Sequence, residues 1–190
     1  LVVGLISIVL FRTPKPQLAD VSEKEFSAYR AFEHTKQIAQ KPHSMGTEEH
    51  EKVKNYIIDE LKRLNLKTSV QTTTSISDGG GLEAGYVHNI IGTIKGNSSE
   101  KAVLIVGHYD SQPNTLGAAD DGSAVAAMLE SARALKGLGT FKNDIVFLFT
   151  DGEEAGLFGA KAFVDENSLI DSIGIVLNIE ARGSSGLSIT

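Results

Sequence analysis

The sequence predicts an α/β domain in three layers, α/β/α, around a central mixed, largely parallel sheet that is incomplete at its C-terminal end. Two features carry this expectation. Strand-like runs alternate with segments of helical periodicity, the pattern of an α/β domain. Three runs, "KAVLIVGHYD" (101–110), "NDIVFLFTD" (143–151) and "IGIVLNIEA" (173–181), are so apolar that they read as buried strands. The length of 190 residues suits one domain with a sizeable core.

The first segment, "LVVGLISIVLF" (Leu1–Phe11), falls short of the roughly 20 residues that span a bilayer. It reads as the remnant of a transmembrane or signal segment, followed by an extended linker over 12–19 that begins "RTPKPQ". The domain then occupies 20–190. "GLSIT" (Gly186–Thr190) reads as the opening of a strand, so the chain is taken as a fragment. Ser22 and Glu25 form a capping box for a helix reaching about Gln40, with Phe26, Tyr29 and Phe32 at helical spacing. "KPHSMG" is a turn. Thr47 caps a second helix, Glu48 and Glu49 suit its first turn, and Val53, Tyr56, Ile57, Leu61 and Leu64 form its apolar stripe. Both helices are expected to pack on the sheet.

"KTSVQTTTSI" (67–76) alternates as a half-exposed strand, "SDGGG" is a loop, and "YVHNIIGTIKG" (86–96) is the next strand. A long loop, Ser111–Asp121, leads from the third strand into a helix over about Ser123–Lys136. A short helix, "GLFGAKAFVDE", follows the fourth strand. "NSS" at Asn97–Ser99 fits a glycosylation acceptor, a triplet common by chance.

Composition excludes some classes of function. A net charge of −6 argues against a general nucleic-acid binder, which needs a basic face. The absence of cysteine excludes disulfides and thiolate zinc sites.

What remains is the polar load at the carboxyl ends of the three buried strands, where α/β sheets build their sites. The first ends in His108, Tyr109 and Asp110, the second in Asp151, Glu153 and Glu154, the third in Asn178, Glu180 and Arg182. Asp120 and Asp121 precede the helix between the first two. Each group has a bland reading: His108 as a strand end facing water, the aspartates as helix caps, the glutamates as a solvated acidic turn. Together they form a carboxylate-rich cluster with one histidine, which suits divalent metal ions. Two ions about 3.5–4 Å apart would also explain how Glu153 and Glu154 tolerate each other.

"GHYDS" (107–111), "GAADDGSA" (117–124), "FTDGEEAGLFGA" (149–160) and "LNIEARG" (177–183) occur in the order and spacing of the zinc-dependent exopeptidases of the aminopeptidase Y type, peptidase family M28. The chain resembles that family over about Phe26–Gly186. The resemblance implies a zinc-exopeptidase (phosphorylase/hydrolase-like) fold and two Zn2+ ions per complete catalytic domain, of which 20–190 would be the N-terminal part. By the same resemblance His108 and Glu180 are ligands of one zinc, Asp120 bridges both, and Glu154 is a ligand of the second. Asp110 orients His108, and Glu153 is the general base for a metal-bridging water. Glu180 stands where many members have an aspartate. The family's last ligand, a histidine, lies beyond Thr190. His34, His43, His50 and His88 match no ligand position and read as surface or packing residues.

The chain is most similar to the membrane-attached endoplasmic-reticulum and vacuolar branch. That implies an anchor at the N-terminal segment, an extracytoplasmic catalytic domain and peptide substrates, with no role for nucleic acid. The function implied is an aminopeptidase. Alternatives are a single-zinc glutaminyl cyclase, which shares "HYDS" and "DGEE"-like stretches, and a non-catalytic ectodomain of the same fold.

Overall fold

The computed structural model describes residues 15–77, 83–98 and 101–181; Leu1–Phe11, Asp78–Leu82 of the glycine-rich loop, Ser99, Arg182 and Gly186–Thr190 lie outside them. Two helices come first, α1 (Ala28–Ile38) and α2 (Glu48–Arg63), followed by β1 (Lys67–Ser77), β2 (Glu83–Ile94) and β3 (Ala102–His108). Helix α3 (Ser123–Leu138), β4 (Ile145–Thr150), α4 (Phe158–Glu166) and β5 (Ile173–Asn178) complete the order.

The five strands form one mixed sheet in the order β1-β2-β4-β3-β5. β1 pairs antiparallel with β2, and β2 antiparallel with β4. β4, β3 and β5 run parallel. Every residue of β4 is buried, because its alternating side chains enter two cores. Phe147 and Phe149 face Ile57 and Leu61 of α2 and Val125, Met128 and Leu129 of α3. Val146 and Leu148 face Phe163 of α4. This is the three-layer arrangement expected. Each such fully buried side chain contributes about 1.5–3 kcal/mol.

Helix α2 begins as expected. Thr47 accepts the His50 N–H at 3.2 Å, Glu48, Glu49 and Glu51 occupy the positive first turn, and Val53, Ile57 and Leu61 are buried. His50 lies on the same buried face.

Three expectations need correction. Helix α1 starts at Ala28, capped by Ser27, whose side chain accepts from the Arg30 N–H. The Ser22–Glu25 pair closes a separate turn upstream, with the Ser22 N–H donating to Glu25 Oε2 at 3.2 Å. The Phe26–Tyr29–Phe32 stripe faces outward, with Tyr29 at 51% and Phe32 at 58% exposure. Ala31 and Ile38 are the buried residues of α1, and the helix packs on α3 and not on the sheet. Small residues permit that close approach, and the aromatic spacing marked the wrong face. Third, β5 is largely exposed. It pairs only with β3 and has no helix over either face among the described residues, which also leaves Val103, Ile105 and Val106 of β3 half-buried.

Helix α1 is fastened to α3 by Glu130, whose carboxylate is buried. Glu130 Oε1 accepts from the Ser27 N–H at 2.8 Å, from Arg30 Nε at 3.0 Å and from an Arg133 guanidinium nitrogen at 2.8 Å. Oε2 accepts from Arg133 Nε at 2.7 Å. Burial works against the charge, but the two arginines and the Ser27 amide outweigh it and hold the carboxyl below its ordinary range. Glu130→Ala is expected to cost about 3 kcal/mol in urea unfolding, the low end for a broken buried pair because both arginines reach water. A loss under about 1 kcal/mol would show that the network is dispensable.

Candidate metal centre

The parallel register sets the site. His108 of β3 lies opposite Thr150 of β4, the Tyr109 N–H donates to Thr150 O at 3.0 Å, and the Ile179 N–H donates to Val106 O at 2.9 Å. Three strands therefore end together and deliver their polar residues to one rim. An irregular turn, 118–122, brings Asp120 and Asp121 to the same place.

After β4 the chain reverses sharply at Gly152, whose φ of +65° favours glycine. The turn is pinned by Asn89, a fully buried polar residue inside apolar β2. Asn89 Oδ1 accepts the Asp151 N–H at 3.1 Å, and Nδ2 donates to Gly159 O at 2.7 Å. Gly159 packs so closely here that a Cβ would collide with Asn89 Oδ1 and the Asp151 backbone.

His108 occupies the centre. Its Nε2 is 3.0 Å from Asp120 Oδ1, 3.7 Å from Glu180 Oε1 and 3.8 Å from Glu153 Oε2. Nδ1 faces Asp110, at 3.1 Å from its carbonyl and 3.4 Å from Oδ1. Asp110 Oδ1 and Oδ2 accept the backbone N–H groups of Glu153 and Glu154 at 3.0 and 3.2 Å. One buried carboxylate thus orients the imidazole and holds the acidic turn. Asp121 Oδ2 accepts the His108 N–H at 3.2 Å, while its buried Oδ1 has no partner.

The charges respond to this crowding. Burial disfavours a charged His108, yet the Asp110, Asp121 and Glu153 carboxylates raise its pKa to about 10. Burial raises Asp121 to about 8, with His108 opposing and Glu180 and Asp120 adding to the shift. Glu153 is raised by burial, opposed by His108 and reinforced by Glu180, Glu154 and Asp110. Asp110 is lowered: burial alone would raise it, but His108 and the two amides prevail.

Of the residues singled out in the sequence, His108, Asp120 and Glu180 converge, with one ligand atom from each lying within 4.8 Å of the others. One imidazole nitrogen and two carboxylate oxygens are a donor set for zinc or a similar divalent ion. Glu153 and Asp110 border that set. Glu154 stands apart, its Oε2 accepting from Gln112 Nε2 at 2.6 Å. His34, His43, His50 and His88 all lie outside the triad. His34 pairs with Tyr56, His43 with Lys41 O, and His88 with Thr72, while His50 is buried against Asp151. The sequence reading overlooked Asn89, His50 and Gln112. A buried-strand pattern broken by one polar residue, as in "HNIIG", was a signal for Asn89; nothing in the sequence marked the other two.

A vacuolar membrane protease of Candida albicans (strain WO-1) is 29% identical over 153 residues, covering 80% of this chain and 18% of the relative. The chain therefore spans less than a fifth of that relative's length. A leucine aminopeptidase precursor from Bacteroides thetaiotaomicron superposes with a TM-score of 0.69 at 25% identity, covering 85% of this chain and 64% of the other. Tannerella forsythia glutaminyl cyclase gives a TM-score of 0.59 at 30% identity, covering 75% and 52%. The model of peptidase family M28 matches residues 89–190, just over half of the chain and the span that holds all the residues of this rim. On that match, the chain belongs to peptidase family M28.

Proposed function

We propose that the chain is the N-terminal part, 20–190, of the catalytic domain of a zinc aminopeptidase that uses two ions to remove N-terminal residues from peptides. The observation that carries this reading is the convergence of His108, Asp120 and Glu180 from separate elements onto one donor set, beside Glu153.

Zinc, when bound, supplies Lewis-acid polarisation of the scissile carbonyl and makes water more acidic. His108, Asp120 and Glu180 would hold one ion, and Asp120 and Glu154 would contribute to a second. Glu153 accepts the proton of the attacking water and returns it to the leaving amine. Asp110 keeps His108 in one orientation and fixes the backbone from which Glu153 projects. The acidic rim attracts the substrate's free ammonium, which favours exopeptidase action. The segment Leu1–Phe11 anchors the protein or directs its secretion, with the catalytic domain on the extracytoplasmic side; the naming of relatives as vacuolar membrane proteases supports association with a membrane. Among the described residues no helix is long and apolar enough to cross a membrane.

A second reading, a single-zinc glutaminyl cyclase, is favoured by one feature: Glu154 is engaged by Gln112 and lies outside the three-ligand set. The "DDGSA" stretch favours the dinuclear hydrolase.

In the full-length protein, Glu153→Gln is expected to retain zinc and to lose at least about 10²-fold in turnover of aminoacyl amides; near-normal turnover would remove Glu153 from the base role. Metal analysis is expected to give about two zincs per chain, and Glu154→Gln to lose one of them. About one zinc, with cyclisation of N-terminal glutaminyl peptides, would instead establish the second reading.

A further inference from the structure

We infer that His50 is a positioning residue, holding the tips of β3 and β4 in their mutual register from beneath the rim. The inference rests on the peptidase reading for its kinetic consequence and on geometry for the rest. His50 projects from α2 and is 1% exposed. Its Nε2 donates to Asp151 Oδ1 at 2.7 Å, and its ring stacks on Tyr109 with centroids 4.9 Å apart and planes at 12°. Tyr109 is the residue between His108 and Asp110. Asp151 lies two positions before Glu153. One imidazole therefore touches both segments that carry the chemistry, and touches neither His108 nor Glu153 itself.

The two grips close on a single residue of β2. The Tyr109 hydroxyl donates to His88 O at 2.9 Å, and Asp151 Oδ2 accepts the His88 N–H at 2.8 Å. His50 fills the space between them. Its Nδ1 is buried without a partner, a cost that an apolar ring of the same shape would not carry. What the imidazole offers and a phenyl ring does not is the N–H to Asp151. Loss of that donor leaves a buried carboxylate one partner short, two residues from the base. Displacement of a catalytic group by about 1 Å can cost on the order of 10²-fold in rate.

The test uses the full-length protein. His50→Phe keeps a ring on Tyr109 and removes the donor; His50→Gln places an amide N–H near the position of Nε2. For His50→Phe we expect kcat to fall by about 10–100-fold with KM within about twofold, and zinc affinity, read by chelator competition, to weaken by about 10-fold. His50→Gln is expected to recover most of both while melting no higher than His50→Phe. Should His50→Phe fail to fold, His50→Leu removes the same donor with a smaller apolar side chain and is expected to show the same losses. Equal losses in the Phe and Gln variants, or a kcat for His50→Phe within about twofold of the wild type, would overturn the inference. A wild type that binds zinc but hydrolyses no peptide would overturn the peptidase reading alone, and the zinc affinities would then decide the role of His50.

Discussion

Everything at the rim depends on the grip of one carboxylate on two backbone amides. Asp110 follows β3, and the turn it holds follows β4. By accepting the N–H groups of Glu153 and Glu154 it fixes the path of the main chain and not merely the direction of a side chain. With the backbone settled, Glu153 projects towards the imidazole that the same carboxylate orients through Nδ1. Charge-assisted bonds of this kind are about twice as strong as neutral ones. Their combined effect is visible in the lowered pKa of Asp110, a buried group that would otherwise resist ionisation. A neutral Asp110 would weaken its hold on the turn and on the ring at once.

That grip gathers negative charge faster than the protein supplies positive charge. Asp110, Asp120, Asp121, Glu153 and Glu180 surround one imidazole, and no lysine or arginine among the described residues pairs with any of them. The protein alone answers in two ways. His108 retains its proton, and burial together with neighbouring carboxylates pushes Asp121 and Glu153 towards their neutral forms. A divalent cation answers the same demand more completely, since a charge of about two at the centre inverts the local balance. The upward shifts and the donor set therefore express one physical fact, a concentrated negative potential at the shared end of the three parallel strands.

Much of this was legible in the sequence because the signals are local and redundant. Thr47 and the glutamates after it mark the start of α2. The run Ile145–Thr150 is apolar at both parities, so only a strand covered on two sides suits it. The polar residues at the ends of β3, β4 and β5 are brought together by parallel register alone. The failures share the opposite character. Which face of α1 is buried depends on Ala31 and Ile38 meeting α3, and an alanine gives no hydrophobic signal to compete with Phe26, Tyr29 and Phe32. β5 is as apolar as β3, yet burial is decided by what lies over a strand and not by its composition. His50 lies 101 positions from its partner Asp151, and Asn89 lies 62 from the same residue. No periodicity or spacing reports contacts at that range.

The candidate ligands also differ in how firmly they are held, and this bears on what the site selects. His108 is buried, with its ring fixed from behind by Asp110. Asp120 and Glu180 stand at the rim and are about half exposed. Glu180 carries one methylene more than an aspartate would, and its Oε1 also accepts the N–H of Ala181 at 2.9 Å. A site with one rigid nitrogen and two adaptable carboxylate arms does not select by cavity size, because the arms can follow the ion. Selection falls instead to the nitrogen. Imidazole binds zinc and its transition-metal neighbours readily, whereas magnesium and calcium prefer oxygen throughout and magnesium demands a near-ideal octahedron. The preference for zinc over the hard cations therefore rests on the one ligand that the fold buries most deeply and orients most tightly.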